Sequence, residues 1–214
     1  MNKPMIAVTS PLRRHLCALA AIVPALLLCA CGTRPAAAGR FAGVPIGTLY
    51  MDANPEKHAV TLYGDTGFSM GAGSVLNLKV RKFYSFPGGE RGMPVFVRVT
   101  WRSGEAHLQS DGTFVGGTVV GDYTVPVAER IPDAVLDFVR REGGSLRLKV
   151  RVVDDGVLVG WDVEQRVGTG EVRSLVYRMA GGDFCEDRID NGVVVVPGWE
   201  RPPVGTNNLL KARQ

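Results

Sequence analysis

The chain has 214 residues, and its 25 lysines and arginines against 21 aspartates and glutamates give a net charge of +4. Three of the basic residues lie in the first thirty positions, where no acidic residue occurs, so the rest of the chain is almost neutral. A neutral chain lacks the basic surface that nucleic acid requires, and this class of partner is excluded. The residues after position 30 suffice for one domain with a hydrophobic core.

Residues 1–30 have the organisation of a bacterial secretory signal peptide. A positively charged start is followed by an apolar run at 16–28, which is shorter than the roughly 20 residues that a membrane-spanning helix needs. The run ends in Leu28-Cys29-Ala30-Cys31, which resembles the lipobox of bacterial lipoproteins. The resemblance implies cleavage before Cys31 and a covalent diacylglycerol on its sulfur, with further acyl lipid. The alternative is an ordinary signal peptide followed by a chance cysteine.

The lipobox also predicts where the protein is located. Several acyl chains anchor a protein stably in a bilayer, so the membrane is one partner of the chain. The residue after Cys31 is Gly32 rather than Asp, which by resemblance to enterobacterial sorting rules implies the outer membrane and a domain facing the periplasm. Residues 31–40 lack apolar periodicity, and we interpret them as a lipidated tether.

The rest of the chain has the pattern of a mainly β (α+β) domain at 41–200, followed by a flexible tail at 201–214. We predict an antiparallel sheet or sandwich with one short helix, because short alternating segments recur between turn residues and glycine is abundant, at 27 residues. Gly116, Gly117 and Gly121 are expected to bend their strand. The strand candidates are 44–51, 59–63, 75–83, 94–102, 114–120 with a continuation to 125, the hairpin 146–164, 172–179 and 192–196, and the helix is 132–141.

The hairpin at 146–164 has the most regular pattern in the chain. A two-residue turn at 155–156 would place Val150 opposite Trp161 and Lys149 opposite Asp162. Apolar residues then face apolar ones and basic residues face acidic ones, each good pair contributing roughly 0.2–1 kcal/mol. We therefore predict one face in the core and one solvated face whose charges neutralise each other.

Metal and disulfide chemistry have little support in the sequence. Cleavage leaves Cys185 as the one cysteine besides Cys31, so we expect no disulfide within the domain. Cys185, His58 and His107 lack the close spacing of zinc ligands, and we predict no metal and no other cofactor. An acidic cluster lacks the spacing of a calcium loop, and we interpret it as a solvated loop that is a candidate partner-facing surface. Its members are Asp183, Glu186, Asp187 and Asp190.

Ser69 lies in Gly67-Phe68-Ser69-Met70-Gly71, which matches the G-x-S-x-G pattern of a nucleophile elbow. An α/β-hydrolase needs several strand–helix units before its elbow, whereas only 36 residues separate the predicted cleavage point from Gly67. His107 is the one histidine that follows Ser69, and no long helices accompany the motif. Ser69 is therefore kept as the nucleophile of a less favoured hydrolase alternative, and we predict no enzyme.

The order of these parts resembles a group of proteobacterial lipoproteins known as a domain of unknown function. The resemblance covers about 41–167, and some of that group are similar to immunity proteins encoded beside type VI secretion effectors, notably lipases. It implies no catalytic residues. The features that carry the resemblance begin with the lipobox and a short strand pair. They continue with the glycine-rich Gly71–Ser74, the V-x-W-x-S pattern within Pro94–Ser103, the segment Tyr123-Thr124-Val125-Pro126 before a short helix, and the strand Gly156–Trp161.

From these features we predict a membrane-anchored periplasmic lipoprotein that acts as a non-enzymatic protein-binding module. An immunity protein against a secreted effector is the specific form that the resemblance implies. A structural or accessory component of a cell-envelope or secretion assembly is the alternative, with the Ser69 hydrolase after it.

Overall fold

The structure, a computed structural model, describes residues 39–85, 92–168, 174–184, 194–195 and 205–211. The fold belongs to the compact unit Arg40–Gln214. The elements within the described residues are β1 (Ile46–Ala53), β2 (Lys57–Gly64), β3 (Ser69–Leu76), β4 (Lys82–Ser85), β5 (Phe96–Leu108), β6 (Phe114–Pro126), a 3-10 turn (Ala128–Arg130), helix α1 (Asp133–Glu142), β7 (Ser145–Val153), β8 (Gly156–Val167), β9 (Ser174–Gly182), β10 (Val194–Val195), β11 (Thr206–Asn207) and the single turn of helix α2 (Asn208–Lys211).

The strands form two sheets, as predicted for a mainly β fold. Sheet A has the order β10-β9-β8-β7-β1-β4, and sheet B has the order β11-β6-β5-β2-β3. Sheet B is antiparallel throughout. Sheet A differs from the expectation in two places, because β1 pairs with β7 and β9 pairs with β10 in parallel.

One apolar core contains side chains from both sheets and from helix α1. Val99 on β5, Val150 on β7 and Trp161 on β8 are each fully buried. Burying one such side chain stabilises the fold by roughly 1.5–3 kcal/mol. The predicted alternation of these strands is therefore confirmed on their core-facing side.

Helix α1 confirms the helix predicted at 132–141, and Arg40 holds its start. The Arg40 guanidinium donates to the Ala128 carbonyl oxygen at 2.5 Å, to that of Ile131, and to Asp133 Oδ1 at 2.8 Å. Arg40 therefore belongs to the folded domain rather than to the tether that the sequence indicated up to this residue.

The β7–β8 hairpin forms, but its register is two residues away from the prediction. Val150 pairs with Val159 and Lys149 pairs with Gly160, so the turn consists of residues 154–155. A slip of two residues leaves every side chain on its predicted face, because side chains alternate with a period of two.

The strand predicted at 75–83 is wrong. Strand β3 ends at Leu76, and the Asn77 side-chain oxygen then accepts hydrogen bonds from the backbone N–H groups of Lys79 and Val80, at 2.8 and 2.7 Å. An asparagine that bonds the backbone two and three residues ahead closes a turn. The chain therefore reverses here before β4 begins at Lys82.

The two ends of the domain also differ from the sequence prediction. Strands β1 and β2, which correspond to the short strand pair of the resemblance, lie in different sheets, so the turn at 54–56 carries the chain from sheet A to sheet B. The predicted tail 201–214 contains β11, which pairs with β6, and Asn208 donates its side-chain N–H to Asp122 Oδ1 at 2.7 Å.

Candidate functional site

The β5–β6 hairpin is long and sharply bent. Its ladder shifts register after Trp101 and again after Ser103. Gly116 and Gly117 have φ angles of 78° and 56°, in the left-handed region that favours glycine. A Cβ atom on Gly117 would lie 2.5 Å from the Ser103 carbonyl oxygen. The predicted bend is confirmed at Gly116 and Gly117, whereas Gly121 lies opposite Trp101 at the first register shift.

The bend brings the tip of the hairpin back onto sheet B. Ser69 Oγ on β3 donates to the Gly112 carbonyl oxygen at 2.7 Å. The Phe114 N–H donates to Thr61 Oγ1 on β2 at 3.2 Å, and both of these residues are buried. These two contacts fasten the far end of the hairpin to the strands that it crosses.

Ser69 therefore has a local geometry unlike that of a nucleophile elbow. It is the first residue of β3 and pairs with Tyr63 in an antiparallel ladder. An elbow instead places its serine on a sharp turn between a strand and a helix. In this structure the Ser69 hydroxyl acts as a hydrogen-bond donor that anchors the hairpin tip.

A groove of about 830 Å³ lies in the bend of the hairpin. Strands β2 and β5 pair only over 61–64 and 97–100, and they separate on the side where the groove opens. The groove has apolar and polar lining residues in similar proportion. Apolar members are Ala59, Trp101, Ala106, Leu108, Phe114 and Val120, and polar members are Glu56, Lys57, His58, Ser74, Arg102, Ser103 and His107, with Gly104 between them.

Two basic residues of the groove already have partners within the domain. Lys57 Nζ lies 2.6 Å from Asp154 Oδ1 in the β7–β8 turn and 6.0 Å from the centre of the Trp101 ring. Arg102 Nη1 donates to the Gly116 carbonyl oxygen at 2.6 Å. These contacts hold both cations against the protein.

The two histidines predicted to be isolated line this same groove, each beside a carboxylate two residues away. His58 Nε2 is 3.2 Å from Glu56 Oε1, and His107 Nε2 is 3.5 Å from Glu105 Oε1. Both histidine side chains are exposed. The structure thus places His58 and His107, which the sequence analysis treated as isolated, on the lining of one groove.

The charged face of the β7–β8 hairpin is buried, so the predicted solvated face is wrong. We call the polar and charged side chains on this face, together with those of Tyr50 and Asp52 on the neighbouring β1, the ionic layer. Arg151 donates two hydrogen bonds to Asp52, at 2.8 and 2.7 Å, and Arg147 donates two to Asp162. Lys149 Nζ is 3.2 Å from Asp162 Oδ2. The layer consists of Tyr50, Asp52, Arg147, Lys149, Arg151, Asp162 and Glu164, all on the outer face of sheet A.

Aromatic rings cover much of the ionic layer. The Arg151 guanidinium carbon is 4.2 Å from the centre of the Phe184 ring, and that of Arg147 is 4.6 Å from the centre of the Tyr177 ring. Gly160 makes this approach possible, because a Cβ there would lie 3.0 Å from the Phe184 carbonyl oxygen. The covering residues follow the hairpin in sequence, so the hairpin alone did not indicate them.

Burial changes the acidity of groups in the ionic layer. Burial raises the pKa of Glu164, and the neighbouring Asp162 charge adds to the effect against the opposing Arg147. Burial alone would lower the pKa of Arg151, but its hydrogen bonds and charge interaction with Asp52 outweigh this and raise the pKa. Asp52 thus favours the charged form of the Arg151 guanidinium despite its burial.

Asp183 is not partner-facing as predicted. Its side chain is 1% exposed, its Oδ2 is 2.5 Å from Arg130 Nη1, and it accepts the Val159 N–H at 2.8 Å. A buried carboxylate requires such partners, since an unpaired one is strongly disfavoured. The other predicted site residues, Cys31, Cys185, Glu186, Asp187 and Asp190, lie outside the described residues.

No three His, Cys, Asp or Glu side chains in the described part of the chain converge as metal ligands, and no helix there has the length and apolarity to cross a bilayer. Comparison with known proteins also finds nothing: no family model, no curated protein and no solved structure matches the chain.

Proposed function

We propose that this chain is a lipid-anchored protein of the bacterial envelope whose β domain binds a protein partner without catalysing a reaction. The observation that carries the proposal is the exposed apolar surface on the bent hairpin. Leu108 and Val120 line the groove with 55% and 49% of their surface exposed. Grouped apolar side chains that face solvent beside polar ones are typical of interaction sites.

The anchor gives this surface a defined location. Eight residues lie between Cys31 and Arg40, and the nine residue steps that join the two span at most roughly 30 Å when fully extended. A lipid on Cys31 would therefore hold the domain close to the bilayer. A binding module in that position meets any protein that enters the periplasm, which supports an immunity protein that blocks a secreted effector.

Ser69 contributes to this function through the shape of the groove rather than through catalysis. Its hydroxyl donates to Gly112 and so maintains the fold-back of the hairpin. The hydrolase alternative would require the same hydroxyl to give up its proton to a base. The hydrogen bond to a carbonyl oxygen supports the anchoring role.

Lipidation is tested first, because it determines the compartment. We expect the protein expressed from the full-length sequence to lose residues 1–30, to carry the mass of a diacylglyceryl group and an acyl chain on Cys31, and to sediment with membranes. A Cys31→Ser variant should remain unlipidated and accumulate as precursor. An unmodified, processed wild-type chain in the soluble fraction would contradict the anchor.

Partner binding is tested with the product of the neighbouring gene, in binding and in competition assays. We expect a complex at micromolar or lower concentration, and we expect a deletion strain to be inhibited by its parent and rescued by the wild-type gene. A deletion strain that resists its parent but fails in secretion would instead favour the accessory role. Absence of a complex at micromolar protein would count against the effector-binding proposal.

A further inference from the structure

A positively charged segment connects β3 to β4. Residues 78–83 contain three basic residues within four positions and no acidic residue. Their three apolar side chains are exposed to solvent, with exposed fractions of 36% for Leu78, 43% for Val80 and 58% for Phe83. We call residues 78–83 the basic turn, and its cations are Lys79, Arg81 and Lys82. Exposed apolar side chains grouped among polar ones are typical of an interaction surface.

Hydrogen bonds and packing within the domain define the shape of the basic turn. The Asn77 N–H donates to the Val80 carbonyl oxygen at 3.1 Å, and the Asn77 side chain accepts the N–H groups of Lys79 and Val80. The Phe83 ring packs edge-on against the Tyr50 ring, with their centres 5.2 Å apart. The fold therefore presents the exposed side chains on a closed turn and on the first residues of strand β4.

The cations of the basic turn have no ion-pair partner. None of the ion pairs in the described part of the chain includes Lys79, Arg81 or Lys82. Arg81 Nε donates to the Leu78 carbonyl oxygen at 2.6 Å, which leaves its charge in place. The Glu56 carboxylate accepts the side-chain N–H of the residue before the turn, at 2.7 Å. The basic turn thus carries uncompensated positive charge, and its complement is an anionic surface.

An anionic bilayer fits both properties of the basic turn. Its headgroups carry phosphate oxygens that attract lysine and arginine, and the acyl boundary below them accepts apolar side chains. Each lysine or arginine close to an anionic bilayer strengthens association about fivefold. An acidic protein surface would complement the cations, but it would need a separate apolar patch for Leu78, Val80 and Phe83. The mixed composition of the turn favours the lipid surface.

The proposed anchor is long enough for the basic turn to touch the same bilayer. The chain passes from Arg40 into β1 at Ile46, whereas the turn enters β4 beside the other end of β1, where Lys82 pairs with Met51. The eight residues of β1 span about 26 Å, and the tether from Cys31 extends to roughly 30 Å. The turn and the lipid on Cys31 can therefore lie in one membrane.

We infer that the basic turn is a second membrane contact, which docks on anionic phospholipid headgroups and orients the domain on the bilayer. The inference rests on the proposed lipid anchor, because the anchor keeps the turn at the membrane surface. A contact of modest affinity is then sufficient, since tethering makes the second binding event intramolecular. The cations contact the phosphate groups, and the apolar side chains enter the boundary between headgroups and acyl chains.

The test uses protein expressed from the full-length sequence and reconstituted into nanodiscs of phosphatidylcholine, with or without phosphatidylglycerol as the anionic lipid. We expect the backbone amides of residues 78–83 to exchange roughly fivefold more slowly, or slower still, in the anionic bilayer, because docking excludes water from them. High salt should reduce this difference, since it screens the charges. Equal exchange in the two bilayers, or a difference that salt leaves unchanged, would overturn the inference.

Lys79→Glu and Arg141→Glu form a matched pair of variants. Both replace an exposed cation, but Lys79 belongs to the basic turn and Arg141 to helix α1. We expect Lys79→Glu to lose most of the slower exchange at residues 78–83, and Arg141→Glu to change it by less than about twofold. Unchanged exchange of the β7 and β8 amides is the control for folding. Equal protection of the turn in both variants, or equal loss, would overturn the assignment to this turn.

The mass spectrum of the same protein separates this inference from the proposed function. If Cys31 carries its lipid and residues 78–83 exchange equally in the two bilayers, docking fails alone. If Cys31 is unmodified, but added phosphatidylglycerol vesicles protect residues 78–83 and phosphatidylcholine vesicles do not, the anchor fails alone. Protection of the turn by the neighbouring gene product, and by neither bilayer, would identify an acidic protein surface as its partner and overturn the inference.

Discussion

The two long hairpins of this domain differ in the regularity of their ladders and in the burial of their faces. The β7–β8 hairpin keeps a continuous register over nine residue pairs, and its polar face is buried and paired internally. The β5–β6 hairpin breaks its register twice, bends at positive-φ glycines and exposes apolar side chains. The β7–β8 hairpin is covered on both faces, and each contact there contributes to folding stability. The bent β5–β6 hairpin makes fewer such contacts, and its bend forms the groove.

We infer that the β7–β8 hairpin contributes more to folding stability and that the β5–β6 hairpin forms the candidate binding surface. Arg147, Lys149 and Asp162 are buried in the regular hairpin, where an unpaired charge is costly. The bent hairpin is held at its tip by two hydrogen bonds from Ser69 and Phe114. Substitutions in the first should therefore reduce folding stability most, and those in the second should mainly change the groove.

Asp162→Ala should have the largest effect. It removes the carboxylate that accepts both Arg147 bonds and lies 3.2 Å from Lys149 Nζ, leaving two buried cations with one carboxylate fewer. Breaking a buried pair from one side costs about 3–5 kcal/mol of unfolding free energy. Urea denaturation of the full-length chain measures the loss.

The control for this loss is an exposed ion pair on helix α1. Asp137 and Arg140 are 2.7 Å apart, with both side chains well exposed, and such pairs contribute about 0–1 kcal/mol. Asp137→Ala should thus change the unfolding free energy by less than about 1 kcal/mol. Equal losses for Asp162→Ala and Asp137→Ala would show that the ionic layer is solvated in solution.

These two hairpins also show how far the sequence predicts the structure. Alternation correctly predicted the core face of Val150 and Trp161, because any even slip of register preserves it. It could not choose between turns at 154–155 and 155–156, and the register was wrong by two residues. Burial of the opposite face depends on Phe184, which packs on Arg151 from 33 positions further along the chain.

The candidate site was predictable only in part, for a similar reason. Glycines at 116 and 117 correctly indicated a bend in β6. The direction of the bend depends on the contact of Ser69 with Gly112, 43 positions away, and no local pattern encodes such a contact. His58 and His107 gave no indication that they line one groove, because they lie on strands that the sequence could not place together.

Gly117→Ala should have the second largest effect, and it tests the bend directly. Its φ of 56° and the 2.5 Å approach of a Cβ to the Ser103 carbonyl oxygen combine conformational cost with a backbone clash. We expect a loss of about 2–3 kcal/mol, of which roughly 1–2 is the left-handed conformation. Gly104→Ala is the matched control, since its φ is 78° but its nearest atom is 3.9 Å away. Similar losses for both would show that the bend can relax around a side chain.

Ser69→Ala should have a smaller effect, confined to the bent hairpin. It removes the hydrogen bond to Gly112, which contributes about 1 kcal/mol, and amide exchange at Gly112 and Phe114 should accelerate. Ser110→Ala, on the exposed tip of the same hairpin, is the control and should change neither. Loss of short-chain ester hydrolysis in the Ser69 variant, with amide exchange unchanged, would contradict the anchoring role and favour the hydrolase alternative.

The smallest effect is a pH dependence that has opposite signs in the two hairpins. Burial opposes ionisation of Asp122 on β6, but hydrogen bonds from Arg98 and Asn208 outweigh it and lower the pKa of Asp122. Its contribution to stability is therefore present above the ordinary Asp pKa of about 3.9 and is lost as pH falls through the lowered value. Burial raises the pKa of Glu164 on β8, so its contribution is present below the ordinary Glu pKa of about 4.3 and is lost as pH rises through the raised value.

Urea denaturation across a pH series of the wild type, Glu164→Gln and Asp122→Asn measures both contributions. The wild type should lose stability relative to the Glu164 variant as pH rises above the ordinary Glu range, because the folded carboxyl holds its proton longer than the unfolded one. Relative to the Asp122 variant, it should lose stability as pH falls below the ordinary Asp range. If the two stability differences change with pH in the same direction, Glu164 is hydrated in solution. The β7–β8 hairpin would then not be covered at that residue.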